Sequence, residues 1–246
     1  HYIKLGFDNI IILKSSDEDY ECPSLYSSQV SIIKTPNMGN DLYRIHQDNV
    51  KKSDYDWILM VDVDEILLLN SKYQNIKQFI AEKVENDSNI NVFFFRWGMI
   101  EMVDSEQVKT ISEIIDKYNV FENTHIKSMI KKNNLRQMGN PHVPYMISPS
   151  VYFENNVTDK MIPVGHKIND FSYKDAILLH LHTRSINNLI IKSINTKLGN
   201  KPIKNTEEFI KIINNVDNNK CPEDCFLAFK NNIGLKSLLP FGHANS

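Results

Sequence analysis

Trp57-Ile58-Leu59-Met60-Val61-Asp62-Val63-Asp64-Glu65-Ile66-Leu67 is the stretch whose reading decides the fold. An apolar run ends in three acids within four positions, and a second apolar run follows. Ile58 to Val61 reads as a buried strand with aliphatic residues on both faces. Alternation along that strand would send Asp62 and Asp64 the same way. Two like charges buried side by side without a partner cost several kcal/mol, roughly. A hard divalent cation relieves them. Mg²⁺ or Mn²⁺ accepts a few carboxylate oxygens and fills its shell with water and substrate phosphate. In open α/β sheets, ligands gather at the carboxyl ends of strands, which is where these acids fall. The plain alternative is a solvated acidic turn. Turns favour Gly, Pro or Asn, whereas Ile66-Leu67-Leu68-Leu69 follows here.

Length and composition bound the rest. The chain has 246 residues, 41% hydrophobic and 24% charged, enough for one large α/β domain. A net charge of −2 gives no electrostatic case for nucleic acid or for an anionic membrane. No apolar run approaches the roughly 20 residues of a membrane span. Cys22, Cys221 and Cys225 are too few for a disulfide framework. The compartment, cytoplasmic or a secretory lumen, stays open. His1 falls inside what reads as the end of a helix, so the start of the protein is expected upstream of it.

Taken in order, His1 to Gly6 reads as the last turn of a helix closed by glycine. Asp8 to Leu13 and Gln29 to Lys34 read as strands, and Asp41 to Lys52 as a helix that Asp41 can cap. The strand into Asp62 follows, so the order reads as the βαβ grammar of an α/β sheet. Tyr73 to Val84 is amphipathic, with Ile76, Phe79, Ile80 and Val84 at helical spacing. Asn91 to Trp97, His125 to Ile130 and Asp175 to His182 read as further strands. Residues 145–175 read as a long loop with short strands. By alternation His180 and His182 share a face. Ser185 can cap a helix from Ile186 to Lys197, and a helix N-terminus beside Arg184 suits an anion. Glu207 to Leu239 reads as weakly helical.

Three of these segments carry a resemblance. Asp62-Val63-Asp64-Glu65-Ile66 resembles the "DvDEF" form of the DxD motif of GT-A glycosyltransferases of the family 2 and family 92 kind. His125-Ile126-Lys127-Ser128-Met129-Ile130 resembles the "hvKSiv" strand of the same enzymes, which is followed by a segment ending in a His, here Met138 to His142. His180-Leu181-His182-Thr183-Arg184-Ser185 resembles their "H-Y-x-x-K-S" signature, with Leu181 for the aromatic and Arg184 for the lysine. The resemblance implies a GT-A, Rossmann-like fold: a mixed, mostly parallel sheet flanked by helices. It places the catalytic domain at residues 1–200 and a helical extension of it at 201–246.

The implied activity is a metal-dependent transfer of a sugar, hexosyl by expectation, from a nucleoside-diphosphate sugar to a hydroxyl of a glycan or protein. A UDP-sugar is the expected donor, Mn²⁺ or Mg²⁺ the expected cation, and inversion the expected outcome. Asp62, Asp64 and His180 are the expected metal ligands. Asp62 would also reach the ribose. Lys127, His182, Arg184 and Lys192 would meet the nucleotide, because the leaving diphosphate needs positive charge. An inverting transferase is also expected to use a carboxylate to deprotonate the acceptor hydroxyl. Glu101, Asp104 and Glu106 qualify by position, and the residues do not choose among them. Two other readings stand beside this one. One is a phosphatase of the haloacid dehalogenase type, which also uses Asp-x-Asp after an apolar strand. In that type the motif usually ends the first strand, whereas two strands precede it here. The other is a module that binds nucleotide-sugar without catalysis.

Overall fold

The computed structural model describes residues 1–14, 24–35, 42–101, 111–118, 120–138, 142–153, 156–159 and 175–183. The expected features at Asp41, Asp104, Glu106, Ser185, Arg184 and Lys192, the three cysteines and all of residues 201–246 lie outside them. Among the described residues no helix is long and apolar enough to cross a membrane.

Two short parallel strands, β1 (Ile10–Lys14) and β2 (Val30–Lys34), form a small sheet of their own. Helix α1 (Leu42–Lys52) leads to β3 (Trp57–Leu59) and β4 (Glu65–Leu69). Next come α2 (Ile76–Asn86), β5 (Val92–Glu101), α3 (Ile111–Lys117) and β6 (Val120–Lys131). A second small pair, β7 (Leu135–Gln137) and β8 (Tyr145–Met146), precedes β9 (Val151–Phe153), β10 (Asn156–Thr158) and β11 (Ala176–Thr183). β3, β4, β5, β6, β9, β10 and β11 make one seven-stranded sheet.

That sheet corrects the expectation of mostly parallel strands. Antiparallel pairings (β3 with β6, β6 with β5, β11 with β4, β9 with β10) outnumber the parallel ones (β5 with β9 and with β11). β3 does not join β2 in a βαβ unit; it pairs with β6 instead. The physical reason is that a continuous apolar run reports burial on both faces and says nothing of direction. Burial on both faces is present. On one face α2 brings Ile76 and Phe79 against Phe93, Phe95, Met129, Leu67 and Leu178. On the other, α3 brings Ile111, Ile114 and Ile115 against Ile66, Leu68, Ile100, Ile177 and Leu179.

β5 is the hub. β6 lines one of its edges, while on the other β9 meets Val92 and Phe93, and β11 runs from Trp97 to Glu101. The lateral order at the upper half is therefore β6, β5, β11, β4. In a flat sheet β6 and β4 would lie about 14 Å apart, three spacings of ~4.8 Å. Yet Lys127 Nζ on β6 comes within 3.4 Å of Glu65 Oε2 on β4. The sheet therefore curls, concave on the face that α2 covers, and Trp97 sits at the bottom of the curve. The outer edge of β4 is closed by the N-terminal turn. The Tyr2 hydroxyl donates to Glu65 C=O at 2.9 Å and accepts the Leu67 N–H at 3.2 Å, standing in for a neighbouring strand. That turn closes at Gly6, whose φ of +98° a β-carbon would strain.

Candidate functional site

Along the concave face the residues change character. Phe93 and Phe95 are packed under α2, but one alternation further up β5 stands Trp97, with polar partners on every neighbouring strand. Lys127 lies across from Phe95, His180 across from Met99, and Glu65 across from His180. Strand pleating thus gathers a lysine, a histidine and a glutamate from three strands on one face.

The Asp62–Asp64 segment crosses this face. It is not a strand: β3 stops at Leu59 and β4 starts at Glu65, and a turn closes between them with Glu65 N–H donating to Asp62 C=O at 3.1 Å. This corrects the expectation that alternation aligns the two aspartates. β3 pairs with β6 only at Met129 to Lys131, although β6 runs back to Val120, so it is the chain after Leu59 that leaves the sheet early. The aspartates face different groups. Asp62, its side chain 64% exposed, accepts from Lys127 Nζ at 2.8 Å. Asp64, 12% exposed, has its Oδ1 3.8 Å from His180 Nε2, and its carbonyl accepts the Leu181 N–H at 2.8 Å. Val63 between them is 91% exposed.

Glu65 holds the turn from beneath. Its Oε2 accepts the Asp62 N–H at 2.7 Å and lies beside Lys127, while Oε1 is buried with no hydrogen-bond partner. Burial pushes the Glu65 carboxyl up to about 7, against the pull of Lys127 and the Asp62 N–H. At Asp62 burial also works against charge, but the ion pair and hydrogen bond from Lys127 outweigh it and hold its carboxyl below the ordinary range.

Four imidazoles surround these charges. His180 tilts against Trp97 with centroids 4.2 Å apart, and His125 stacks on the same indole at 5.1 Å. His142 meets Trp97 edge-on at 5.5 Å, and its Nδ1 is 2.7 Å from the Ile126 carbonyl. Burial and the neighbouring Lys127 charge hold the His46 imidazole of α1 below its ordinary value.

The structure brings together Asp62, Asp64, Lys127 and His180, all named from the sequence, although some 115 residues part Asp64 from His180. Glu101 is the last residue of β5, where its backbone pairs with Thr183; its side chain lies outside the described residues. His182 falls where the β5–β11 register shifts. Its side chain too lies outside the described residues. Glu65, Trp97 and His46 are given no site role from the sequence, and His142 enters there only as the His that ends the segment after the Lys127 strand. Glu65 and His142 carry a signal in the sequence, a third acid directly after Asp64 and the His of that segment. The others reach the site through the curl.

The model of the family described as Glycosyltransferase family 92 matches residues 49–226. The chain belongs to glycosyltransferase family 92. The match begins inside α1 and contains Asp62, Asp64, Glu65, Trp97, Lys127, His142 and His180. It leaves out β1 and β2 and runs past residue 200 into the expected helical extension. No curated protein matches the chain. Family 92 membership makes this a glycosyltransferase domain and sets aside the phosphatase alternative.

The carboxylate oxygens of the Asp62–Asp64 turn are donors of the kind a hard cation takes. Among the described residues there is no ready-made group of three or more His, Cys, Asp or Glu placed to cage a metal. There are two carboxylates on one turn with an imidazole beside the second. Mg²⁺ and Mn²⁺ are usually bound in this way, by one or two carboxylates and the substrate's own phosphates.

Proposed function

We propose that this family 92 domain transfers a sugar, hexosyl by our reading, from a nucleoside-diphosphate donor to a hydroxyl of a glycan or protein, with inversion and with the help of Mn²⁺ or Mg²⁺. The observation that carries the reading is the Asp62–Asp64 turn, exposed at Asp62 and Val63, laid over a buried cation, Lys127, and bordered at Asp64 by His180. Asp62 and Asp64 would hold the metal, with His180 as a third ligand. The cation would supply charge for the diphosphate as the glycosidic bond breaks. Asp62 would share itself with the ribose. Lys127 adds a fixed positive charge under the turn; with Arg184, Lys192 and His182 it is assigned to the phosphates. UDP is our choice of nucleotide. Glu101 and Asp104 remain carboxylate candidates for the base.

Thermal unfolding with UDP-, GDP- and dTDP-sugars, with and without Mn²⁺, tests this. A ligand at a hundred times its Kd stabilises the fold by about 2.7 kcal/mol. One donor class should raise the melting temperature, and only with the metal present. A chain that responds to none of them is not a nucleotide-sugar transferase.

A further inference from the structure

We propose that His142 is the general base that takes the proton of the acceptor hydroxyl. The inference rests on the transferase reading above and deepens it.

The tautomer of His142 follows from its partner. Nδ1 lies 2.7 Å from the Ile126 carbonyl oxygen, which can only accept. Nδ1 therefore carries the hydrogen, and the basic lone pair sits on Nε2. The topology explains why the carbonyl needs a side chain. β3 covers β6 only from Met129 to Lys131, so Ile126 lies beyond the end of that pairing. The chain that would have continued β3 has left the sheet to form the Asp62–Asp64 turn. The departure that places the acids thus also opens the site where His142 docks.

The surroundings suit a base. His142 is half-buried, edge-on to Trp97 and 6.3 Å from His125 by ring centroids. Burial lowers its proton affinity. The Ile126 hydrogen bond opposes that, Lys127 adds to it, and Asp62 opposes it again, with the net result that the imidazole stays below its ordinary value. It is therefore neutral near pH 7, the form that accepts a proton. Asp62 and Glu65 answer Lys127, and His180 lies against Asp64. His125 also has its Nδ1 near an oxygen, but of the Asn123 side chain, and it lies flat on the Trp97 face.

The step balances. The acceptor O–H gives its proton to His142 Nε2, and its oxygen forms the new bond to the anomeric carbon. The bond from that carbon to the phosphate oxygen breaks, and its electron pair leaves with the nucleoside diphosphate. His142, now an imidazolium, returns the proton to water.

The test uses UDP-hexoses as donors with a set of p-nitrophenyl glycosides, and water itself, as acceptors. Nucleotide release is measured for wild type, His142→Gln and His142→Ala, and Mn²⁺–UDP affinity is measured by calorimetry. The expected result is a fall of about 10²–10⁴-fold in kcat with affinity for UDP unchanged. Added imidazoles of graded basicity should restore His142→Ala in proportion to their pKa, which filling a void would not do. His142→Gln keeps a side chain that can donate to Ile126, so it holds the fold if the alanine variant does not. A rate within a few-fold of wild type, or rescue indifferent to basicity, overturns the proposal. So does a matching loss in Glu101→Gln with affinity unchanged and rescue absent at position 142. If wild type itself neither binds nor turns over any nucleotide-sugar, it is the transferase reading that has failed.

Discussion

At the scale of single residues, charge decides the site. Asp64→Asn removes one charge and keeps the shape. It should leave the melting temperature within a few degrees of wild type and abolish the Mn²⁺-dependent part of nucleotide binding in calorimetry. Binding like that of wild type would place the metal elsewhere. Glu65 gives a prediction of its own. Its folded carboxyl is raised from an ordinary 4.5 to about 7. The folded protein therefore holds a proton that the unfolded chain releases. The associated stability is complete below about pH 4.5 and is lost as pH rises through about 7. In chelator, Glu65→Gln should flatten that decline. Its size is about 3 kcal/mol, since each tenfold gain in proton affinity is worth about 1.4 kcal/mol. Urea unfolding at pH 5 and pH 7.5 measures it. Asp62 and Asp64 are legible in the sequence because their chemistry is unusual after an apolar run. The engagement of Lys127 by two acids is not. It depends on a carboxylate from β4 reaching across two intervening strands.

At the scale of elements, two features hold the sheet in register. The first is Asp175, just before β11. It accepts from Lys83 of α2 at 2.9 Å, Lys72 at 2.9 Å, Tyr73 at 3.0 Å and Tyr152 of β9 at 2.5 Å. Burial opposes its charge, but these partners prevail and keep its carboxyl far below the ordinary range. Here the sign is opposite to that of Glu65. The stability is complete above about pH 4, the ordinary carboxylate value, and is lost as pH falls below it. Asp175→Asn strands the mostly buried Lys83 and should cost about 3 kcal/mol at pH 7, a cost that begins to shrink below about pH 4 and persists in good part at pH 3, because the folded carboxyl is still ionised there. The second is Gly98. A β-carbon there would lie 2.5 Å from Ile177 Cδ1 and 2.6 Å from Val120 Cγ1. Gly98→Ala should therefore destabilise by about 1–3 kcal/mol in urea unfolding. The strands and helices themselves are readable. α2 starts at Ile76 rather than Tyr73 because the Asn75 side chain caps it, accepting from Gln78 N–H. Strand direction is not readable, since Phe93–Phe95 or Ile177–Leu179 would look the same in either orientation.

For the whole molecule, the site draws on segments from α1, the β3–β4 turn, β5, β6, the segment before β8, and β11. None is close to the next in sequence, so a ligand that bridges them reports on global folding. Removal of divalent metal should abolish the ligand-induced rise in melting temperature, and Mn²⁺ or Mg²⁺, not Zn²⁺, should restore it, as oxygen ligands dictate. Full transfer activity after exhaustive chelation would take the cation out of the mechanism. The assembly also has a consequence for entropy. The residues from Met60 to Asp64 run from one side of the curled sheet, at β3 beside β6, to the other, at β4. They are a covalent strap over the concave face, knotted beneath by Lys127 and Glu65. A bend fixed in this way is set when the chain folds and has nowhere to relax when the site empties. Binding then has little ordering left to do, and the freedom lost in shaping the cradle is surrendered once, in folding, rather than at every turnover.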